Sequence, residues 1–324
     1  MLIFNIKNTK LLTLVITVLM ISTSCMRDEY RQEEKFESWQ LKIKAKALDA
    51  GITSESFDLA FKDVKLKEVF KKHDHKQYTR KQTFAEYYNN HVNDLRIQQA
   101  RIHEKALYSD LNAVEKQFNV PTGYILALWG IESDYGKHVG NYYVIESLAN
   151  LAYNTRRKDF FEKELFFALR MLNDKEVSIA EFKGSWAGAN GQCQFMPSSY
   201  YSYAYDGNGD GKKDIWNTNL DIIASIANYL STREWDDSVP WGYEVESDNK
   251  IQDSKDAKSL ARLHKNGIKR KDGLIFTEHE LEQRVKIMTL DDRVFITFEN
   301  FDILKHWNNS NYFAATVGMF AEKI

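Results

Sequence analysis

From Pro121 to Gly136 the chain reads PTGYILALWGIESDYG, and this stretch restricts the fold more than any other. Proline at Pro121 suits the first turn of a helix, where a missing N–H is no loss. Ile125, Leu128 and Trp129 then fall at i, i+3 and i+4, which is one face of a helix. Glu132 is the next position on that face. A carboxyl group at the end of an apolar stripe is desolvated, and desolvation raises its pKa. A glutamic acid that holds its proton near neutral pH is a candidate general acid. Spacing alone favours the plainer reading, a fraying last turn that touches water; the remaining motifs weigh against it.

With 324 residues there is room for one large domain or two. Hydrophobic residues make up 43%, enough for a sizeable core, and the scarcity of proline (three) and glycine (fifteen) favours helix. A formal net charge of -2 provides no global field that would attract nucleic acid or anionic lipid.

Residues 1–25 read as a targeting segment. Lys7 and Lys10 precede the apolar run Leu11–Ile21, and Ser22, Thr23 and Ser24 supply small residues. The run is shorter than the about 20 apolar residues a membrane span needs, so an export signal is expected. Cys25 follows directly, which resembles a bacterial lipoprotein signal in which that cysteine is acylated. Ser22 stands where such signals usually carry leucine, so an ordinary cleaved signal or an uncleaved anchor stays open. The only other cysteine is Cys193, which excludes a disulfide framework and a cysteine metal site.

Arg27–Asn119 reads as successive helices: Phe36–Ala50, a short one capped by Thr53, and one or two across Thr83–Phe118. The lysines of Lys62–Lys81 are expected on a solvated face. Tyr143–Tyr153 and Lys158–Leu172 are amphipathic helices, and between them Arg156 and Arg157 are either ligand donors or a surface pair at a helix start. Asp221–Trp235 and Tyr312–Ala321 are further helices, with a short one near Ala257–His264. Val285–Leu290 and Val294–Phe298 alternate with period two around Asp291-Asp292, a hairpin pattern.

Two loops carry polar chemistry. In GSWAGANGQCQFMPSSY (184–200), glycines let backbone approach a ligand closely. Asn190 and Gln194 offer amides there, and Trp186 and Phe195 offer flat rings, which suits an N-acetylated sugar; a glycine-rich core turn is the alternative. In DGNGDGKKDIWN (206–217), oxygen side chains fall at loop positions 1, 3, 5 and 9 with Gly211 at 6, the pattern of a calcium loop. Asn217 replaces the usual glutamate at 12, and Asp221 is placed to supply the missing carboxylate; otherwise the turn stays empty.

These pieces, in order, resemble the lytic murein transglycosylase B family: GIESDYG, SLANLAYNTRRKDFFEKEL, KGSWAGANGQCQFMPSSY, DGNGDGKKDIW, IANYL and WNNSNYF. The resemblance runs from about Phe36 to the C-terminus. It implies a mainly α (α+β) fold: a lysozyme-like helical core with a small β lobe and an N-terminal helical region. After the signal, the transglycosylase domain would run over 30–324, as an N-terminal helical region (30–118), core (119–235), small α/β lobe (236–300) and closing helix (301–324). It implies cleavage of the β-1,4 bond between N-acetylmuramic acid and N-acetylglucosamine in peptidoglycan, leaving 1,6-anhydromuramoyl ends.

Carried over residue by residue, the catalytic acid falls on Glu132. Substrate-binding positions fall on Ser185, Gln194, Phe195, Tyr229, Asn308, Arg156, Arg157 and Tyr135. A structural calcium loop falls on Asp206, Asn208, Asp210, Lys212 and Asp221, with no cofactor for catalysis. Three residues depart from the family pattern: Cys193 for glycine, Trp307 for tyrosine and Tyr135 for tryptophan. Ser185 is expected to orient Glu132 or the substrate's acetamido group. The implied setting is the periplasm, with an outer-membrane lipid anchor at Cys25, peptidoglycan strands as partner and cell-wall enzyme complexes as further partners. Two alternatives remain: a hydrolytic muramidase on the same fold, using Asp134 or Asp159 to activate water, and a non-catalytic peptidoglycan-binding protein. A calcium sensor is a weaker third.

Overall fold

A computed structural model of the chain describes residues 34–76, 82–247 and 252–324. The targeting segment, Cys25 and the end of the lysine-rich stretch (77–81) lie outside the described residues. The N-terminal region is six helices: α1 (34–49), α2 (Ser54–Phe61), α3 (Glu68–Lys76), α4 (Phe84–His91), α5 (Asp94–Ala106) and α6 (Tyr108–Phe118). The span expected to hold one or two helices holds three, because Asn93 caps α5 by accepting the Arg96 amide at 3.0 Å and Leu107 breaks the helical path at ψ 21°. Thr83 starts α4 with a reciprocal capping box to Glu86.

Helix α7 (Thr122–Ser133) is the axis of the core. Asn119, at φ 56°, ends α6, and Pro121 at φ −59° admits the chain to α7. The helix is not amphipathic as its spacing suggested: Ile125, Leu126, Ala127, Leu128, Trp129 and Gly130 are all buried. A helix apolar on every side belongs inside the protein, and α5, α6, a later helix over Asn219–Thr232 and the C-terminal helix pack around this one. After the first turn, charged or hydroxyl-bearing aliphatic side chains return only where α7 ends, at Glu132 and Ser133, before Asp134 turns the chain at φ 49°.

Strand β1 (Tyr142–Tyr143) leads into α8 (Val144–Asn154), which packs against α9 (Lys158–Asn173); β1 pairs with β2 (Lys183–Gly184). Then come α10 (Pro197–Tyr203), with proline in its first turn, and α11 (Asn219–Thr232). The small lobe comprises β3 (Gly242–Glu246), β4 (Ser254–Ser259), α12 (Leu260–Lys265), β5 (Lys269–Arg270), α13 (Glu278–Glu282), β6 (Arg284–Leu290) and β7 (Arg293–Thr297). Its antiparallel sheet has the order β4-β6-β7-β3-β5. The expected hairpin is β6–β7, with Leu290 opposite Arg293 across Asp291-Asp292. Residues 257–259, expected in a helix, extend β4 instead, and Ser259 caps α12 behind them.

The sheet serves two cores. Met288, Leu290 and Phe295 join the main core, whereas Val245, Val285 and Ile296 pack with Leu260, Ile268 and Phe276 in a separate cluster. Alternation of side chains across a strand produces this division. The chain closes with α14 (Glu299–Trp307) and α15 (Asn311–Ala321). Trp241, in front of β3, seats its indole so close to Gly318 of α15 that a Cβ there would fall 2.3 Å from the ring. That contact binds Trp241 to α15, while the end of α14 meets the end of α7 through Trp307 and Glu132.

Candidate active site

Glu132 is half-buried at the C-terminal end of α7. Desolvation pushes its pKa up from 4.5 to about 8, against a single opposing hydrogen bond. That bond comes from Trp307, whose indole N–H donates to Glu132 Oε1 at 2.8 Å. Trp307 lies against Tyr229 of α11 (centroids 4.6 Å apart) and Phe195 (5.3 Å). Tyr87 of α4 stands near enough that the Glu132 charge contributes, after desolvation, to holding its phenol up at about 12. The acid therefore meets an aromatic cluster drawn from separate stretches of chain, with Trp307 in direct contact and Tyr229 and Phe195 behind it.

The loop between β2 and α10 forms one side of the site. Asn190 and Phe195 exchange backbone hydrogen bonds at 2.9 and 3.0 Å, and the Ser185 amide donates to Ala189 at 2.8 Å. Gly188 is required here: at φ +91°, a Cβ would fall 2.5 Å from Leu148 of α8. Gln192 joins this loop to α7 and to the turn after it, accepting the Trp129 indole N–H at 2.9 Å and donating to the Trp216 carbonyl at 2.7 Å. Cys193 is buried beneath the loop, its thiol 3.6 Å from the Ile222 carbonyl, and burial first, then the Glu132 charge, raises its pKa well above normal.

Several expected ligand contacts take other roles. Ser185 Oγ accepts the Ala187 and Ala189 amides at 3.3 and 3.1 Å, which shapes the loop and leaves the hydroxyl proton to donate. Asn190 is fully buried, and its amide donates to the Phe195 carbonyl at 2.9 Å. Gln194, at φ 49°, spends its amide hydrogens on the Val139 and Gly191 carbonyls at 3.0 and 2.9 Å. Phe195 and Tyr229 are buried and back Trp307 instead of offering an open sugar platform. Tyr135 is also buried, stacked on His103 at 4.6 Å, because its left-handed backbone (φ 57°) folds the ring back onto α5 and α7.

Arg157 pairs with Asp74 of α3 at 2.9 Å and covers the Phe161 ring. It ties α9 to α3, with its guanidinium directed to Asp74. Arg156, beside it, is exposed, as is Asn308 next to Trp307. Asp134 contacts Arg96 at 3.4 Å and Lys137 at 3.5 Å, which engages one of the two candidates for a second carboxylate. Asp159 is exposed in the first turn of α9. The unanticipated members are Trp307 as the acid's donor and Tyr87 as its neighbour. Neither is visible in local spacing, since they reach the end of α7 from opposite ends of the chain.

The 206–217 loop folds around Asp206. Its Oδ1 accepts the Gly209 and Asp210 amides at 2.7 and 3.2 Å, and Oδ2 the Gly211 amide at 2.8 Å. Asn208 and Asp210 lie on the same turn, 3.1 Å apart. Asp221, buried in the first turn of α11, accepts the Gly207 and Asp214 amides at 3.0 and 2.7 Å, and desolvation leads the effects that raise its pKa. Among the described residues no group of three His, Cys, Asp or Glu side chains is arranged to hold a metal ion. A calcium loop also uses amide and backbone oxygens, and the turn of Asp206, Asn208 and Asp210 is compatible with that mixed donor set.

Comparisons with known proteins agree with this architecture. Residues 35–322 match the Transglycosylase SLT domain family. Over 130 residues the chain is 39% identical to membrane-bound lytic murein transglycosylase B of Escherichia coli (strain K12), a match covering 40% of this chain and 36% of that protein. The crystal structure of SltB3 from Pseudomonas aeruginosa in complex with NAG-NAM-pentapeptide superposes with a TM-score of 0.85 at 32% identity, over 89% of this chain and 79% of that one. Soluble lytic transglycosylase SltB1 from the same organism gives 0.78 at 27% identity, over 88% and 97%. The Escherichia coli lytic transglycosylase Slt35 in complex with calcium shares the fold, with a TM-score of 0.77 at 23% identity, over 88% and 91%. The match of residues 35–322 to the family's model, on a fold shared along nearly the whole described length, places this chain in the Transglycosylase SLT domain family.

Proposed function

We propose that the protein is a peptidoglycan lytic transglycosylase that cleaves the β-1,4 bond between N-acetylmuramic acid and N-acetylglucosamine, with Glu132 as both acid and base. The observation that carries this reading is the desolvated Glu132 carboxyl, whose pKa of about 8 keeps it protonated at neutral pH. Protonated Glu132 donates to the glycosidic oxygen as the C1–O bond breaks. The substrate's 2-acetamido carbonyl stabilises the positive charge at C1, the substrate-assisted variant of glycoside cleavage. Glu132, now ionised, takes the proton of the muramoyl C6 hydroxyl as that oxygen bonds to C1. The nucleophile is already attached to the sugar, and such intramolecularity lowers a barrier by up to about 7–11 kcal/mol.

The engagement of Asp134 with Arg96 and Lys137 favours this route over hydrolysis, which needs a second carboxylate to activate water. Asn308 and Arg156 are exposed candidates for holding the glycan. Asp206, Asn208, Asp210, the Lys212 carbonyl and Asp221 would hold a calcium ion, which would brace the loop beside Trp216. We place the protein in the periplasm, anchored through acylated Cys25 to the outer membrane and working with other cell-wall enzymes. The test is mass spectrometry of products from purified sacculi: anhydromuramoyl ends are lighter than hydrolytic ends by one water. Glu132→Gln is expected to bind sacculi and lose turnover by several orders of magnitude. Hydrolytic ends, or full cleavage by that variant, would overturn the reading.

A further inference from the structure

Trp307 is held by its ring contacts and by its place at the end of a helix. Its ring rests on Tyr229 and Phe195, and it closes α14 just before Asn308 turns into extended backbone at φ −142°. Its N–H is therefore aimed, and it meets Glu132 Oε1 at 2.8 Å. An indole N–H can only donate.

A protonated carboxyl has one carbonyl oxygen and one hydroxyl oxygen, and the carbonyl oxygen is the better acceptor. Resting on the acid/base reading of Glu132, we propose that Trp307 is a positioning residue that gives the two oxygens of Glu132 different tasks. Oε1 stays bonded to the indole throughout the cycle. Oε2 carries the transferable proton: its O–H bond breaks as the glycosidic oxygen is protonated, and it re-forms with the proton released by the C6 hydroxyl. Hydrogen bonds to a charged acceptor are stronger than those to a neutral one, so the same N–H stabilises the carboxylate and eases proton release. Burial and the indole thus pull Glu132 in opposite directions.

The experiment replaces Trp307 with benzothienylalanine, which keeps the shape and exchanges N–H for sulfur, and separately makes Trp307→Phe. Release of anhydro product from sacculi is followed against pH, with Glu132→Gln alongside and thermal melts of every variant. The isostere should melt like the parent and lose kcat by about 10- to 100-fold, as expected for a hydrogen bond to a charged group, with KM nearly unchanged. Its alkaline limb should move up by about one pH unit or more. Trp307→Phe should agree; if it fails to fold, the isostere decides. Parental kcat in the isostere, or lost kcat with an unmoved alkaline limb, would overturn the proposal. Cleavage by Glu132→Gln would instead sink the acid/base reading, so the two failures are distinguishable.

Discussion

The side-chain carbonyl of Gln192 accepts the indole N–H of Trp129 at 2.9 Å, so the glycine-rich loop is locked to the central helix one turn before the acid. The other end of the same side chain holds the Trp216 carbonyl. Replacing Gln192 by Leu strands both partners, and a buried polar group left without a partner costs about 1–3 kcal/mol. Gln192→Leu should lower the unfolding free energy by roughly 2–4 kcal/mol, read from urea denaturation. It should also lower kcat, because the loop beside Glu132 loses its anchor.

The raised pKa of Glu132 sets a pH window. Turnover begins from the protonated acid, so the rate of anhydro product release should hold at neutral pH and fall as pH passes about 8. Stability carries the same signature. Folded Glu132 keeps its proton from the ordinary 4.5 up to about 8, whereas the unfolded chain has lost it. Its contribution is complete below 4.5 and is lost as pH rises through that window. Glu132→Gln does not titrate. Urea unfolding should therefore show the variant gaining on the parent between pH 5 and pH 8.5, and equal gaps at the two pH values would contradict the assignment.

Ser185 braces its loop through two amides and makes no hydrogen bond to Glu132. Ser185→Ala is expected to cost about 1 kcal/mol of stability, the usual value of a hydroxyl that caps a turn. Its rate loss should stay far below that of Glu132→Gln, with the pH limb of activity in place. A rate as low as that of the glutamine variant would mean that the serine serves the chemistry directly.

Calcium is expected to act on stability. Ligand that binds only the folded state raises stability by RT ln(1 + [L]/Kd), about 2.7 kcal/mol at a hundredfold excess over Kd. Adding millimolar calcium to chelator-treated protein should raise the melting temperature, and Asp206→Ala and Asp210→Ala should abolish the rise. Identical melts with calcium and with chelator would show that the turn is held by its amides alone.

The elements legible in the sequence were those fixed by neighbours in the chain. Pro121 and Asn119 delimit α7, Pro197 starts α10, and the alternation around Asp291-Asp292 is the β6–β7 hairpin. Glu132 was legible for the same reason, since an apolar helix ends on it. Strands β3, β4 and β5 were not, because charged residues interrupt their alternation and pairing across the sheet holds them. Site residues misled where their type was right and their direction was not. Asn190 and Tyr135 have the polarity and rings that a glycan needs, but left-handed backbone at Tyr135 and a loop closed on itself at Asn190 turn them inward. The Trp307–Glu132 bond joins residues 175 positions apart and has no local signal.

Helix α7 touches packed neighbours on every side, and this has a bearing on how such a chain can diversify. A substitution along its length disturbs the interior first, so the Glu132 carboxyl is anchored in a frame that resists drift. Change is instead easiest where the frame opens, at the short exposed step formed by Asn308 and Asn309 after α14.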